Sequence, residues 1–493
     1  MDRGGITVLP SDEKAGQVSG PGGRSILLNG AFLLGSGWLA MAMRAVYIVV
    51  LARALGPSGY GLISATQALY LMFIVAGTAG VTAFLSRELA LDRERGQEAV
   101  ALTLFMLAAL LLLGAIAFIA IGLSTESDPV TRQIFVIFTG ALVARGLAMW
   151  ARSAFVALEA SQFHLRQVSL FRTGEVLVAI AALSMGAGVI TIATIHLVSW
   201  ILEALVGLTT IHRRFTSLTT RLRDWSRLGK VASGSLVVGI AIAAAEWLRV
   251  APLVLYHYLA DAAPEVGQFA FAWNAALVLA VILVTAMNAA FPVTSRANVR
   301  ADGKDAYYLD FCIRGGIILG TAAVIAGMAI GPWLLTFVGG AQYDGAGKIF
   351  IATLAILGPI VMNYALDQAL FLHQRTGLVL AVNVGALPIV AGAFILAIEA
   401  FGPQAAVFAV FAAQAALVLL KIAIMNSVAG IRLVPALVRA SIAAAVGLAI
   451  AIPLLALSVW GGLAGIVALI VAAFISKAIA PEELGILKRI VTR

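Results

Sequence analysis

The chain has 493 residues, of which 62% are hydrophobic and only 12% are charged, against about 25% charged in ordinary soluble domains. This composition excludes a soluble enzyme, and the single cysteine, Cys312, excludes an intramolecular disulfide and a CxxC metal site. The net charge of +9 is spread over short segments between apolar runs, so it indicates membrane topology rather than nucleic-acid binding.

Residues 1–25 are polar, glycine-rich and of mixed charge, which predicts a disordered cytoplasmic tail. The rest of the chain contains long Leu- and Ala-rich runs, and a membrane-spanning helix needs about 20 such residues. We therefore predict an all-α integral membrane protein with about fourteen transmembrane helices. The predicted spans are 29–53, 60–85, 99–122, 132–157, 167–187, 190–211, 230–258, 267–291, 312–331, 348–371, 377–398, 404–428, 435–457 and 460–480.

Residues 213–229, between the sixth and seventh spans, form a basic segment that we predict to be a cytoplasmic linker close to anionic lipid headgroups. Most Lys and Arg residues fall on the same side of the membrane as this linker, whereas the opposite loops are acidic or neutral. Because positively charged loops stay in the cytoplasm, we predict that both termini are cytoplasmic, including the tail 481–493.

Two predicted hairpins, 53–62 and 259–269, have similar sequences. Each ends an apolar helix, turns on a proline and restarts on a glycine beside an aromatic residue. If they are equivalent, the chain has two six-helix lobes, 26–212 and 230–428, related by a pseudo-two-fold axis along the membrane normal. The last two spans, within 429–480, then pack peripherally. An accidental likeness of two hairpins is the alternative.

Residues 52–57 read Ala-Arg-Ala-Leu-Gly-Pro and are followed by Tyr60-Gly61. The other parts of this pattern are Glu246-Trp247, Gly267, Phe291-Pro292, Ser295-Arg296 and Pro481-Glu482-Glu483-Leu484. In their order and spacing these motifs resemble the polysaccharide and oligosaccharide-lipid flippases, of the superfamily that also holds drug/sodium antiporters and the lipid II flippase. The resemblance covers roughly residues 26–490. It implies two six-helix lobes, alternating access and a lipid-diphosphate-linked glycan as substrate. Glu246 departs from the pattern, in which Asp is more frequent, and Arg53 is expected to have a structural or gating role.

Three arginines, Arg44, Arg145 and Arg249, lie inside predicted spans. A charged side chain at mid-membrane costs about 2.5–3.5 kcal/mol on insertion scales, so these groups must face a hydrated cavity or pair inside the bundle. The planar guanidinium fork suits a diphosphate, and an amide such as Asn274 suits sugars. We therefore predict that these three arginines and Asn274 bind substrate. The alternative is that they join helices, as Arg249 would with Glu246 on the same helix face.

Further polar side chains share helix faces. They are Arg145, Arg152 and Glu159 on span 4, Arg172 and Glu175 on span 5, and His196, Ser199, Trp200 and Glu203 on span 6. A transporter also needs an energy source. The carboxylates that we consider for coupling to a proton or sodium gradient are Glu246, Glu175, Glu203 and Asp367, and each of them is equally suited to a structural ion pair.

The sequence thus predicts a non-enzymatic transporter of the inner cell membrane that flips a polyprenyl-diphosphate-linked oligosaccharide from the cytoplasmic to the outer leaflet. No cofactor, catalytic residue or metal ligand is predicted. The expected partners are the lipid-linked glycan and membrane lipids, and other glycan-assembly proteins are left open. Three alternatives remain. One is a cation/drug antiporter, which the arginines disfavour. Another is a membrane-embedded polysaccharide polymerase or glycosyltransferase, which the short outer loops disfavour. The third is a scaffold for glycan assembly.

Overall fold

The computed structural model describes residues 23–91, 96–215, 226–260, 262–299 and 304–479. Within these ranges the chain forms fourteen α-helices, one short 3₁₀ helix at Ala341–Tyr343 and no β-strand, which confirms the predicted all-α class. The helices are α1 Gly23–Leu91, α2 Gly96–Thr125, α3 Pro129–Ala157, α4 Ser161–Ser184, α5 Val189–Arg214, α6 Ser226–Leu259, α7 Ala263–Val299, α8 Lys304–Gly339, α9 Ala346–Ala355, α10 Leu357–Leu372, α11 Thr376–Phe401, α12 Pro403–Ala429, α13 Val434–Leu455 and α14 Trp460–Ile475.

The helices agree with the predicted number of about fourteen transmembrane helices, although they do not coincide one to one with the predicted spans. Helix α1 contains the first two spans, which meet at Gly56. Gly56 has φ 69° and ψ 177°, a backbone conformation that favours glycine, and Pro57 follows it, so the chain bends there. Ile356 separates α9 from α10, which together form the tenth predicted span. Each remaining span corresponds to one helix.

The lengths and surfaces of the helices fit a lipid environment. By length and composition, eleven described helical segments can cross a membrane, and one of them, Gly30–Ser86, has 57 residues and includes the bend. Large apolar side chains face outward around the bundle; Leu113, for example, is 64% exposed and Leu396 is 70% exposed. A surface of this kind is stable in lipid and not in water, so the chain is a multi-pass membrane protein.

The predicted linker and tails are only partly within the described residues. Helix α5 continues to Arg214 and α6 begins at Ser226, so both ends of the predicted linker 213–229 are helical. Residues 216–225, most of the tail 1–25 and the tail 481–493 lie outside the described ranges. The division into two lobes related by an axis stays a prediction.

The two hairpins of similar sequence contact each other through glycines. A Cβ atom on Gly267 would lie 1.8 Å from the carbonyl oxygen of Pro57, and one on Gly61 would lie 2.6 Å from the backbone nitrogen of Gly267. A second close approach joins α1 to α6, where a Cβ on Gly80 would lie 2.1 Å from the carbonyl oxygen of Ser235. These contacts hold α1 against α6 and α7 along the centre of the bundle.

Gly267→Ala is expected to destabilise the protein, because the added methyl group meets backbone that cannot move aside. Overpacking of this kind costs about 1–3 kcal/mol or more. Gly392→Ala, which also lies within a helix, is the matched control, since nothing lies within 4 Å of its Cβ position. Thermal unfolding of the purified variants in detergent measures both effects. Equal transition temperatures for the two variants would contradict the close approach.

The turn between α2 and α3 has a capping interaction outside the spans. The Asp128 carboxylate accepts hydrogen bonds from the Thr131 backbone N–H and from the Thr131 hydroxyl, both at 2.8 Å. Pro129 occupies the first turn, where its missing N–H costs nothing. These hydrogen bonds favour the ionised carboxylate and lower the pKa of Asp128.

Asp128→Ala is expected to lower thermal stability at neutral pH, because the first turn of α3 loses its cap. The lowered pKa means that the capping contribution is present above about pH 4, the ordinary Asp range, and is lost as the pH falls through the lower folded value. The difference in transition temperature between wild type and variant should therefore shrink on acidification. A difference that is constant with pH would show that the carboxylate charge has no part in the cap.

Candidate functional site

A cavity of about 410 Å³ lies inside the bundle between α1, α3, α4, α5, α6 and α7. This volume is within the range of about 300–1,000 Å³ that is usual for small-molecule sites. The titratable side chains that line it include Arg44, Tyr47, Tyr60, Arg145, Arg152, Arg172, Glu175, His196 and Arg249. Its amide and indole side chains include Gln67, Trp200, Trp273 and Asn274.

The four residues predicted to bind substrate lie together in this cavity. Arg44 comes from the first half of α1, Arg145 from α3, Arg249 from α6 and Asn274 from α7. Only the fold brings them together, since they are far apart in the chain. The cavity supplies the polar surroundings that the intramembrane arginines require. That these residues bind substrate stays a prediction.

Two of these arginines, Arg44 and Arg145, have no carboxylate partner among the described residues. Arg145 instead donates from Nη1 to the Tyr70 hydroxyl at 2.5 Å, and its Cζ atom lies 5.0 Å from the centroid of the Trp200 ring. Arg44 lies on the cavity wall and is exposed to the cavity. A guanidinium without a carboxylate partner in a membrane is costly, so both positions favour an anion in the cavity.

Arg249 is paired on its own helix, as the alternative interpretation proposed. Its guanidinium forms an ion pair with Glu246, three residues earlier on α6, and the two side chains are 24% and 33% exposed. The Arg249 Nε–H has no partner among the described residues. Because a guanidinium has five N–H donors, Arg249 can keep its ion pair with Glu246 and still donate a hydrogen bond to a ligand.

Two carboxylates join α3, α4 and α5 beside the cavity. Glu203 accepts from Arg152 Nε at 2.5 Å and from Arg172 Nη2 at 2.8 Å. Arg172 also donates from Nη1 to Glu175 at 2.5 Å. Glu175 and Glu203 were both considered for ion coupling, and both are engaged in ion pairs. A structural role therefore fits the contacts of each carboxylate.

The Trp200 ring is the common neighbour of three cationic side chains. The Cζ atoms of Arg172, Arg145 and Arg152 lie 3.7, 5.0 and 5.3 Å from its ring centroid. The face of an indole attracts cations, so Trp200 partly offsets the repulsion among the three guanidinium groups. Trp200 itself is buried, and its ring supports the arginines at the edge of the cavity.

His196 and Tyr70 connect Arg145 to Glu175. The Tyr70 hydroxyl lies 2.8 Å from His196 Nε2, and His196 Nδ1 lies 2.6 Å from Glu175. The polar face of α5 predicted His196 as a member, but nothing in the sequence pattern indicated Tyr70. The available signal was a tyrosine inside an otherwise apolar span, because a buried phenol needs a polar partner.

On the α7 side of the cavity, Asn274 is held by a tyrosine. Its Nδ2 donates to the Tyr60 hydroxyl at 3.1 Å. Tyr60 in turn packs edge-on against Phe271 and Tyr343, at centroid distances of 6.0 and 6.5 Å. This aromatic cluster lies directly beside the bend at Gly56.

Contacts around the bend close the bundle at this end. Arg53 donates to the carbonyl oxygens of Val338 and Phe337 at 2.7 and 2.5 Å. These carbonyl groups are at the C-terminal end of α8, where a cation is favourable. The Tyr343 hydroxyl donates to the Ala52 carbonyl oxygen at 3.2 Å. Arg53 thus joins α1 to α8, which fits the structural or gating role expected for it.

Asp367 lies outside the cavity. It forms a buried ion pair with Lys421 of α12 at 2.7 Å, and Lys421 is 1% exposed. Asn383 of α11 donates to the other carboxylate oxygen at 3.1 Å. Asp367 therefore holds α10, α11 and α12 together, and the ion-coupling role considered for it stays untested.

The predicted polar stripe on span 4 is wrong at one of its three positions. Arg145 and Arg152 lie on one face of α3, but the helix ends at Ala157. Glu159 follows in the connecting turn with φ 57°. The seven-residue spacing could not indicate where the helix stops.

The cavity and the ion pairs around it are cationic. The arginines at positions 44, 145, 152, 172 and 249 face the carboxylates at 175, 203 and 246. With a neutral His196, five positive and three negative charges leave a net charge of +2. Several buried N–H donors in the lining also have no partner among the described residues, namely Nε2 of Gln67, Nε of Arg145, Arg172 and Arg249, and Nε1 of Trp273. Such a cavity suits an anion that is rich in hydrogen-bond acceptors.

An all-α bundle with a polar cavity at the centre of its membrane-spanning helices is the architecture of a membrane transporter. The model of the polysaccharide biosynthesis protein family matches residues 26–298, and the chain belongs to this family. A search of curated proteins found no match.

The fold is similar to solved transporter structures. The lipid II flippase MurJ in an inward closed conformation is 11% identical, with a TM-score of 0.68 over 95% of this chain and 100% of that chain. An inward-facing multidrug resistance MATE family transporter of the MOP superfamily is 13% identical, with a TM-score of 0.64 over 79% of this chain and 96% of that one. A MOP superfamily transporter from Pyrococcus furiosus, with a binding pocket described as having reverse polarity, is 14% identical, with a TM-score of 0.60 over 82% and 95%. At these identities the likeness concerns the fold.

Proposed function

We propose that this protein flips a polyprenyl-diphosphate-linked oligosaccharide, or a related polysaccharide precursor, across the membrane by alternating access. The observation that carries the proposal is the net charge of +2 around the cavity. A diphosphate diester carries about two negative charges, one per phosphate. The polyprenyl tail stays in lipid, and no covalent bond is made or broken.

The unpartnered donors of the lining support the same ligand class. Phosphate and sugar oxygens are hydrogen-bond acceptors, and the free N–H groups of Gln67, Trp273 and Arg145 need acceptors. Arg44, Arg145 and Arg249 come from three different helices that line the cavity. A diphosphate in the cavity can meet several guanidinium groups, and each of them can donate two parallel hydrogen bonds to one phosphate.

The direction of transport rests on orientation. The distribution of Lys and Arg supports cytoplasmic termini in the inner cell membrane, so a precursor made in the cytoplasm moves to the outer leaflet. Anionic membrane lipids and other glycan-assembly proteins are the partners we propose besides the substrate. The energy source we propose is a proton or sodium gradient, and Glu175, Glu203, Glu246 and Asp367 are the candidate carboxylates.

The orientation gives a direct expectation for reporter fusions. A reporter inserted near Ser127 should be outside the cytoplasm, and one near Arg221 should be inside, because the basic segment lies at the second position. Enzymatic reporters that are active on only one side of the membrane measure this. The reverse pair of results would overturn every leaflet assignment.

A cation/drug antiporter is the alternative that the fold supports, through its likeness to MATE family transporters. A cavity with a net positive charge repels cations, so the electrostatics disfavour it. The family membership and the transporter fold support a non-enzymatic role over a polymerase or glycosyltransferase.

Transport in proteoliposomes tests the proposal. The purified protein is reconstituted with a fluorescent lipid probe that carries a diphosphate-linked sugar, and a membrane-impermeant quencher reports the fraction in each leaflet. We expect the protein to speed the exchange of this probe between leaflets, and not that of a matched probe with a quaternary ammonium headgroup. Exchange of the cationic probe alone would favour the antiporter.

A further inference from the structure

His196 is a buried imidazole that connects the cavity arginines to the ion pairs on α4 and α5. Its Nδ1 lies 2.6 Å from a Glu175 oxygen, and its Nε2 lies 2.8 Å from the Tyr70 hydroxyl and 3.1 Å from Trp200 Nε1. The Tyr70 hydroxyl receives a hydrogen bond from Arg145. A titratable group is thus one hydroxyl away from an arginine of the proposed binding site.

The hydrogen-bond partners define the protonation state of this imidazole. An indole N–H can only donate, so Nε2 of His196 must accept from Trp200. The Tyr70 hydroxyl accepts from Arg145 and therefore turns its own hydrogen toward Nε2. The hydrogen of the imidazole is then on Nδ1, where it donates to Glu175. His196 is neutral in this arrangement.

Every helix packed against His196 contributes charged or titratable groups. They are Tyr47 and Tyr70 on α1, Arg145 and Arg152 on α3, Arg172 and Glu175 on α4, and Glu203 on α5 itself. With a neutral imidazole these groups have three positive and two negative charges. A proton added to His196 raises the positive charge by one, and this extra charge needs an anion nearby.

We infer that His196, together with Glu175, is a proton-binding site that is linked to anion binding in the cavity, so that a bound diphosphate and one extra proton stabilise each other. The inference rests on the proposed function, because it concerns the same site. A phosphate oxygen that engages Arg145 draws it away from the Tyr70 hydroxyl. Protonated Nε2 then donates to the Tyr70 oxygen, and the Trp200 N–H turns away from Nε2. The Tyr70 hydroxyl hydrogen turns to the side that Arg145 has left, where the phosphate oxygen accepts it.

The sign of this linkage follows from charge. The proton goes onto the imidazole–carboxylate pair and no other bond changes, so the charge around the cavity rises from +2 to +3. An anion binds a more positive cavity more tightly, and by reciprocity the bound anion makes the pair hold its proton more tightly. Because the pair shares protons, it titrates as a unit. Substrate and proton therefore bind together rather than in exchange at this site.

Calorimetry on the full-length protein in detergent tests the linkage. The probe is a synthetic farnesyl diphosphate N-acetylglucosamine diester, whose two phosphate charges are constant between about pH 5.5 and 8. Titration in two buffers of different ionisation enthalpy gives the number of protons taken up on binding. We expect wild-type protein to take up as many as about one proton per ligand, and the dissociation constant to fall by as much as about tenfold per pH unit on acidification.

Two variants assign the proton to its site. His196→Gln should bind the probe without proton uptake and with an affinity that does not change with pH. His257→Gln is the matched control, because His257 also pairs with a glutamate, Glu126 at 3.2 Å, but is outside the cavity. It should keep the wild-type uptake. If His196→Gln does not fold, Tyr70→Phe tests the same connection and should reduce the uptake.

The outcomes separate this inference from the proposed function. Binding of the probe with no proton uptake by the wild type would overturn the linkage and leave the proposed function in place. Uptake that persists in His196→Gln, or that is unchanged in Tyr70→Phe, would overturn the assignment to His196. A wild-type protein that does not bind the probe at any pH would overturn the proposed function and the linkage with it.

Discussion

Arg145→Ala is expected to abolish transport of the diphosphate-linked probe while the amount of folded protein stays close to that of wild type. Arg145 has no carboxylate partner among the described residues, and its hydrogen bond goes to the neutral Tyr70 hydroxyl. Its removal therefore leaves no unpaired charge behind. A hydrogen bond between charged groups contributes about 1.5–3 kcal/mol, so the affinity for the probe should fall about 10- to 100-fold.

Two further substitutions sharpen this prediction. Arg145→Lys should restore part of the binding, because the charge remains while the two-pronged geometry is lost. Arg132→Ala is the matched control on the same helix, since Arg132 is exposed and donates to the Glu126 carbonyl oxygen. Transport and membrane abundance are measured together. If Arg145→Ala lowers abundance while transport per folded molecule stays normal, Arg145 has a structural role and is not part of the site.

Glu203→Ala is expected to have the largest effect on stability. The Glu203 side chain is 0% exposed and holds both Arg152 and Arg172. Its removal leaves Arg172 with Glu175 alone and Arg152 with no carboxylate partner among the described residues. Breaking a buried pair in this way costs about 3–5 kcal/mol. The variant should show a much lower thermal transition in detergent and a smaller monodisperse fraction on gel filtration.

Glu246→Ala is the matched control for this prediction. Glu246 also pairs with an arginine, but the side chains of Glu246 and Arg249 are both partly exposed, so solvent screens most of the charge. It should lose far less stability than Glu203→Ala. Similar transition temperatures for the two variants would mean that burial does not determine the cost, contrary to the ion-pair account of α3, α4 and α5.

The sequence predicted the parts of this structure that depend on position along a single helix. The lengths of the apolar runs indicated the fourteen spans. A separation of three residues along a helix indicated that Arg249 lies beside Glu246 and that Arg172 lies beside Glu175. These pairs follow from helical periodicity alone. The cost of a charge in lipid likewise indicated that the intramembrane arginines face a hydrated cavity or pair inside the bundle.

Contacts between helices could not be predicted in the same way. The pairing of Arg152 with Glu203 and the connection of Tyr70 to His196 depend on how each helix is rotated about its axis. In a membrane helix that is apolar on nearly every side, the hydrophobic pattern does not determine that rotation. Asp367 shows the same limit, because its buried partner Lys421 lies on another helix and neither residue faces the cavity.

The most direct test of the account is a structure of the protein with the farnesyl diphosphate N-acetylglucosamine diester bound. We predict that the diphosphate lies in the cavity within hydrogen-bond distance of Arg145 and at least one of Arg44 and Arg249, with the farnesyl chain leaving toward lipid. Glu203 should keep both of its arginine partners in that complex. The contrary result is a diphosphate bound elsewhere on the protein, with no ligand in the cavity and the hydrogen bond from Arg145 to Tyr70 intact. That result would contradict the claim that these arginines form the substrate site.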